Sequence, residues 1–341
     1  MKTYLNRRCP EDVSPTNHSL LWRKRSAMPA DEEGGPTLER VAIDYMNTCF
    51  ARHKRSTCST YARVLQTHIL PKLGYRDVTE ITMEDIIDLL CEKASPEGGL
   101  APATLRSIIT MLRGIFQYAE RFGCAVDWKD IHGPAHTPGF ATVISKEHQM
   151  KLRFYCAKNL RPDTLGVMIC LFTGIRLGEI CAMKWEDIDL KNGTIRVRRT
   201  VQRIHNPESA GDENVHDRTH VVFDTPKSIN SHRCIPLPLP LLRHLYTCKC
   251  DGECYVLTGQ RDVFLEPRSF QKHYKSILAE AGVPYMHFHA LRHTFATNCV
   301  ELGFDVKTLS MILGHSSVST TLNIYVHPSV SVMKAFMERI E

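Results

Sequence analysis

Between Thr37 and Gly123, apolar residues recur at intervals of three and four in four successive stretches, each closed by a helix stop. That spacing confines this part of the chain to a small bundle of amphipathic helices, each with one buried face. The first stretch, TLERVAIDYMNTCF, sets Leu38, Val41, Ala42, Tyr45, Met46 and Cys49 on one side behind Thr37 as N-cap. The second starts near Ser56 and carries Tyr61, Val64, Leu65, His68 and Ile69 before Pro71 and Gly74 stop it. The third, TMEDIIDLLCEKA, has Thr82 as cap and acids in its first turn, and the fourth runs from Pro102 to a stop at Gly123.

Around this bundle the punctuation divides the chain. Residues 1–36 mix Pro, Asn, Ser and charges without an apolar period and read as a flexible tail. Residues 37–124 form the helical domain, residues 125–142 a linker with two prolines, and residues 143–341 a second domain. The second domain opens with the helical stretches SKEHQMKLRFYCA and TLGVMICLFTG. A strand-like alternation in GTIRVRRTVQRI follows, and then two short β-type runs in HVVFDTPKSINSHRCIPLP around a Lys-Ser-Ile-Asn turn. From Ser269 onward the pattern is helical again. The expected fold is therefore mainly α with a small antiparallel β-sheet in the second domain.

At 341 residues, 43% hydrophobic and 23% charged, the composition is that of a soluble globular protein with room for two or three domains. No run approaches the 18 apolar residues of a membrane span, and MKTYLNRRCPEDV lacks the apolar core of a secretion signal. Thirteen cysteines, an odd number spread without a small-domain framework, then read as reduced thiols in a cytoplasmic protein. A net charge of +6 permits a polyanionic partner without identifying one.

Four stretches carry candidate chemistry. In LFTGIRLGEICAMKWEDIDL, Arg176 stands between an apolar helix and an amphipathic one, either as a turn arginine paired with Glu179 or Glu186 or as an anion ligand. In HALRHTFAT, His289 and Arg292 are three apart and share a helix face, where imidazole and guanidinium suit a phosphate. In LGHSS, His315 lies just past a helix stop, as a capping residue or a hydrogen-bond donor. Tyr325 follows ten residues later, either the polar tip of a core aromatic or a working hydroxyl.

The order G-I-R-L-G-E, T-P-K-S before R-x-I-P-L, H-x-L-R-H-T-F-A-T, L-G-H-S-S and then Tyr325 resembles the tyrosine recombinases of the phage-integrase type, most of all integrases of phages and conjugative transposons. The resemblance implies a two-domain DNA clamp, with an all-α, SAM-like core-binding domain and an α+β catalytic domain. It implies a site-specific recombinase that cuts and rejoins duplex DNA through a 3′-phosphotyrosyl intermediate, with no metal or other cofactor. The alternatives are a type IB topoisomerase-like enzyme and a non-cleaving architectural DNA-binding protein. By the resemblance, Arg176 and Arg292 hold the scissile phosphate, Lys227 protonates the leaving oxygen, His289 and His315 support, and Tyr325 is the nucleophile, with His289 read as the group that could accept its proton. Arg52, His53, Lys54, Arg55 and Thr57 become phosphate contacts of the clamp.

The implied partners are duplex core sites, further copies of the chain in a tetrameric synapse joined through a C-terminal helix at 329–341, and an accessory excision factor; no membrane is involved. That last helix, with Val332, Met333, Phe336, Met337 and Ile340 on one side, either packs on its own domain or docks on a neighbour. RVRR at Arg196–Arg199 reads as a solvated face. His244, Cys248, Cys250 and Cys254 lack paired C-x₂-C spacing and read as an unmetallated loop, with zinc as the alternative.

Overall fold

The computed structural model describes residues 35–94, 99–124, 131–134, 142–205, 219–224 and 232–325, with residues 334, 337 and 338. The expected tail up to residue 34, most of the linker, the polar loop at 206–218, Lys227 and most of the segment 329–341 lie outside the described residues. Two compact units separate: one over 35–94, 99–124 and 131–134 with 203–205 and 219–220, the other over 142–202, 221–224 and 232–325.

The helical unit contains α1 (Leu38–Arg52), α2 (Arg55–Val64), α3 (Leu70–Leu73), α4 (Met83–Lys93) and α5 (Pro102–Glu120). Thr37 caps α1 by accepting from the Arg40 amide, and Thr82 and Asp85 form a reciprocal capping box on α4. The predicted apolar faces meet in one core in which Leu38, Met46, Leu65, Ile69, Ile86, Leu89, Ile108, Leu112 and Phe116 are fully buried. Each such side chain contributes about 1.5–3 kcal/mol of burial. One expectation needs correction: Pro71 does not stop the second helix. The turn Leu65–Ile69 widens to π geometry, with the Leu70 amide reaching back to the Leu65 carbonyl, and Pro71 follows in α3. The widened frame accommodates a residue that has no amide donor to give.

The second unit is built around α7 (Pro162–Thr173), whose residues Leu165 to Leu171 are all buried because α6 (Lys146–Lys158), α9 (Leu239–Cys248), α10 (Pro267–Glu280) and α11 (His289–Glu301) pack around it. A helix apolar on every side is stable only when enclosed in this way. α8 (Leu177–Cys181), α12 (Val306–Leu313) and α13 (Val318–Tyr325) complete the helices. The small sheet is antiparallel as expected, in the order β1 (Ile188–Asp189), β2 (Thr194–Val197), β5 (Arg233–Pro236), with Ile195 opposite both Ile188 and Ile235. A second, two-stranded sheet joins β3 (Thr200–His205) to β4 (Thr219–Asp224), so the two β-runs flanking residues 225–231 pair with different partners rather than with each other.

The alternation in GTIRVRRTVQRI spans two strands rather than one. It breaks at Arg198 and Arg199, whose side chains stay 44% and 34% exposed yet are ion-paired: Arg198 Nε donates to Asp187 Oδ1 at 2.7 Å, and Arg199 Nη2 donates to Asp187 Oδ2 at 2.6 Å and Glu186 Oε1 at 2.9 Å. Asp187 is 3% exposed, and a carboxylate buried to that degree requires paired donors. Among the described residues no helix is long and apolar enough to cross a membrane, and no group of three or more His, Cys, Asp or Glu side chains is arranged to hold a metal ion.

Candidate active site

Gly174 ends α7 with φ 65°, a left-handed conformation that turns the chain sharply into Arg176. A Cβ at Gly174 would lie 2.6 Å from Phe295 Cδ1 and 2.9 Å from Leu313 Cδ2, so the site also demands the absence of a side chain. Arg176 caps α8: its amide donates to Glu179 Oε2 at 3.0 Å and its Nη1 to Glu179 Oε1 at 2.9 Å. The pairing read as an alternative to an anion-binding role is thus present, and it is with Glu179; Glu186 is engaged by Arg199.

Three arginines from three elements converge on the C-terminus of α12. Arg233 of β5 donates through Nε to the Ile312 carbonyl at 2.6 Å, Arg292 of α11 through Nη2 to the Leu313 carbonyl at 2.8 Å, and Arg176 through Nη2 to the Gly314 carbonyl at 2.9 Å. The last carbonyls of a helix have no partner within it and carry the negative end of its dipole, so they are natural guanidinium acceptors. Arg292 Nη1 also donates to the Gly174 carbonyl at 2.8 Å, which fixes the guanidinium plane at two points. Arg292 is 3% exposed and forms the floor of the site, whereas the Arg176 side chain is 36% exposed and forms its rim.

Glu179 joins these cations. Its carboxylate receives Arg233 Nη2 at 2.8 Å and Nη1 at 3.1 Å besides Arg176. Burial pushes this carboxyl up, but Arg233 and Arg176 outweigh it and hold Glu179 down at about 2. Burial, with the charges of Arg176 and Arg233, pushes Arg292 down to about 9, so it stays charged at neutral pH.

The imidazoles and the phenol lie against this cluster. His289 and His315 are each pushed down to about 4, first by desolvation and then by neighbouring positive groups, among them Arg292 and Arg176. His315 follows the left-handed Gly314 (φ 66°). Its amide closes α12 on the Ser310 carbonyl, while its Nδ1 lies 2.8 Å from Thr321 Oγ1. Thr321 is fully buried one turn before Tyr325 on the same face of α13, so His315 anchors the helix that carries the tyrosine. Tyr325 is 8% exposed, packed with Ala296, Cys299, Leu309 and Leu313, and its ring lies parallel to that of His315 at 6.5 Å. Its hydroxyl is not idle: it lies 2.7 Å from His293 Nδ1.

The structure thus brings Arg176, His289, Arg292, His315 and Tyr325 to one place. Arg233 and His293 are the members that sequence reasoning missed, and Glu179 was read only as a turn partner of Arg176. Their signals were in plain view: Arg233 opens R-x-I-P-L, Glu179 lies three residues past Arg176, and His293 lies one turn past His289, with ring centroids 4.6 Å apart.

In the helical unit, Arg52 ends α1, His53 and Lys54 make the corner, and Arg55 opens α2 with Thr57 in its first turn. Arg52 and His53 line a recess of about 130 Å³ together with Gln117 and Arg121 of the α5 end.

Residues 145–331, more than half of the chain, match the model of the phage integrase family. The chain belongs to that family. Residues 37–93 also match the N-terminal SAM-like domain of phage integrases. A tyrosine recombinase XerC-like protein of Caldanaerobacter subterraneus subsp. tengcongensis is 34% identical over 47% of this integrase-family chain and 44% of its own length. Tyrosine recombinase XerA of Pyrococcus furiosus is 27% identical over 69% of this chain and 74% of its own. The transposase from transposon Tn916 of Enterococcus faecalis is 23% identical over 79% and 69%. In fold, the chain is similar to the integrase of transposon Tn1549 in complex with a circular intermediate DNA (TM-score 0.70, 19% identity, 89% of this chain and 99% of that one). It is also similar to a lambda integrase dimer bound to a core site (TM-score 0.60, 17% identity, 85% and 77%).

The depressed imidazoles make a stability prediction. The unfolded chain takes up protons on His289 and His315 as pH falls below about 6.5, whereas the folded site resists until about 4. The thermal midpoint of the DNA-free protein therefore declines from pH 6.5 downward. A combined His289→Gln, His315→Gln variant shows a shallower decline between pH 6.5 and 5, as calorimetry across that range checks. An unchanged slope would refute the assignment.

Proposed function

We propose that this chain is a site-specific DNA recombinase that integrates or excises a mobile element by cleaving and rejoining duplex DNA through a 3′-phosphotyrosyl intermediate. The observation that supports it best is the placement of two carbonyl-fixed guanidiniums, Arg176 and Arg292, beside the buried hydroxyl of Tyr325. Three arginines and Glu179 give the cluster a net charge of +2, since Arg233 and Glu179 cancel (3 − 1 = 2). A phosphodiester carries one negative charge and its five-coordinate transition state two, so the cluster matches the transition state better than the ground state. Because protein carbonyls have already oriented the guanidiniums, little reorganisation accompanies the reaction.

In the proposed sequence, Tyr325 attacks the phosphorus and the 5′ oxygen departs. Lys227, in T-P-K-S, supplies the proton to that oxygen. The phosphotyrosine retains the energy of the broken bond, and a 5′ hydroxyl from a second duplex reverses the step. His315 ties α13 in place through Thr321, and His289 adds a donor toward the phosphate. The corner Arg52, His53, Lys54, Arg55 and Thr57 binds backbone phosphates of the duplex, which sets position rather than sequence. Synapsis requires further copies of the chain, and the segment 329–341 is the proposed link between them. A lambda integrase tetramer bound to a Holliday junction shares this fold (TM-score 0.60, 18% identity).

The test uses a nicked suicide duplex carrying the core site, found by selection from the DNA that flanks the gene. The wild-type protein forms a covalent adduct and joins two such duplexes, and Tyr325→Phe forms none. An adduct with both proteins removes Tyr325 as nucleophile. Cleavage without sequence-dependent joining of a second duplex favours a topoisomerase instead.

A further inference from the structure

The nucleophile's hydroxyl is already hydrogen-bonded in the DNA-free protein, and its partner is not the histidine of the H-x-x-R pair. His293 Nδ1 lies 2.7 Å from Tyr325 Oη, within the range of a strong hydrogen bond between a hydroxyl and an imidazole. His293 is partly buried on α11 immediately after Arg292 and edge-on to the His289 ring at 4.6 Å, while the phenol reaches it from α13 with its ring centroid at 5.6 Å. Both partners are held: α11 contacts α7, α12 and α13, and Tyr325 is packed on its apolar side.

We infer that His293 is the catalytic base of the cleavage step, accepting the phenolic proton of Tyr325 at Nδ1 as the phosphotyrosine forms. This rests on the recombinase reading above and assigns to that site a residue it left without a role. In the step, the Tyr325 O–H bond breaks and its proton passes to Nδ1. The electron pair left on Oη forms the bond to phosphorus, the P–O5′ bond breaks, and the departing oxygen takes a proton from the acid of the site. In the reverse step, His293 returns its proton to Oη. The hydrogen bond is in place before DNA arrives, so no rearrangement of the base is required.

The environment suits this role. A base must be neutral before it acts, and burial together with the Arg292 charge pushes His293 down from the usual imidazole range. Burial raises Tyr325, while Arg292 and Arg176 pull it the other way. Free phenolate is therefore scarce, and transfer concerted with attack is the accessible route. The ring accepts at Nδ1 only while its own proton sits on Nε2.

The closing experiment combines kinetics and spectroscopy. With DNA affinity measured in parallel, His293→Gln slows single-turnover cleavage roughly 10²–10⁴-fold, because Gln keeps a hydrogen bond but takes no proton. The loss persists on a substrate whose bridging 5′ oxygen is replaced by sulfur, since that atom leaves without an acid. Added imidazole restores part of the rate of His293→Gly. Nitrogen-15 NMR of the wild-type protein, assigned by the perturbation in Tyr325→Phe, shows His293 with Nδ1 bare and Nε2 protonated. A wild-type rate for His293→Gln, full recovery on the sulfur substrate, or an Nδ1–H tautomer overturns the inference even if a variant folds poorly. If the wild-type protein forms no adduct, the recombinase reading itself fails, which is a separate outcome.

Discussion

Replacing Arg292 with alanine lowers the rate of covalent adduct formation by about 10³–10⁵, the range that arginine contacts contribute to phosphoryl transfer. The structure shows why the effect is at the high end. Arg292 is buried to 3% exposure and donates to the Gly174 and Leu313 carbonyls, so its loss removes a charge and unties α7 from α12 at the same point. Lysine does not rescue it. A lysine keeps the charge, but its ammonium lacks the planar fork that spans two carbonyls while presenting further donors to a phosphate. Single-turnover cleavage on the suicide duplex is the measurement, with duplex affinity as control. An Arg292→Lys enzyme within tenfold of wild type would show that the fork is not needed.

The second large effect is on stability. Arg233→Met leaves the buried Glu179 carboxylate with Arg176 as its one remaining arginine partner, at a position where both Glu179 and the Arg233 side chain are at most 5% exposed. Breaking a buried pair by removing one partner costs about 3–5 kcal/mol, a fall of roughly 4–7 °C in Tm for a chain of this size. Replacing both partners, Glu179→Leu with Arg233→Met, recovers much of that loss, because no charge is left uncompensated. Cleavage does not recover, since Arg176 has then lost the carboxylate that orients it. Chemical denaturation gives the first quantity and adduct formation the second. A single Arg233→Met variant within about 1 kcal/mol of wild type would mean that the pair is not integral to the fold.

Legibility in the sequence followed the range of the interaction. The faces of α1, α4 and α5 were readable because a helix repeats its geometry every few residues and its caps lie within three positions, as Thr82 and Asp85 do. The break at Arg198 and Arg199 was not, because the acid that binds them, Asp187, lies eleven and twelve positions away and gives no periodic signal. Pro71 misled because a proline in a helical pattern is ordinarily a stop, and the widened turn ahead of it depends on packing of Leu65 and Ile69 into the core.

The site divides in the same manner. Arg176, His289, Arg292, His315 and Tyr325 could be picked from sequence, since the types that bind and attack a phosphodiester are few and their order along the chain is specific. The sequence alone also determined the helical bundle and the helix ends at Gly174 and Gly314 that turn the chain toward the site. Only the tertiary structure decided which partner each group takes. Arg233 and Glu179 are 54 positions apart, Arg176 and Gly314 are 138 apart, and His293 and Tyr325 are 32 apart. Contacts of that span arise when separate helices and a strand pack on a common core. Hence the chain's own text singled out the tyrosine, and the packing of α11 against α13 set His293 Nδ1 2.7 Å from its hydroxyl.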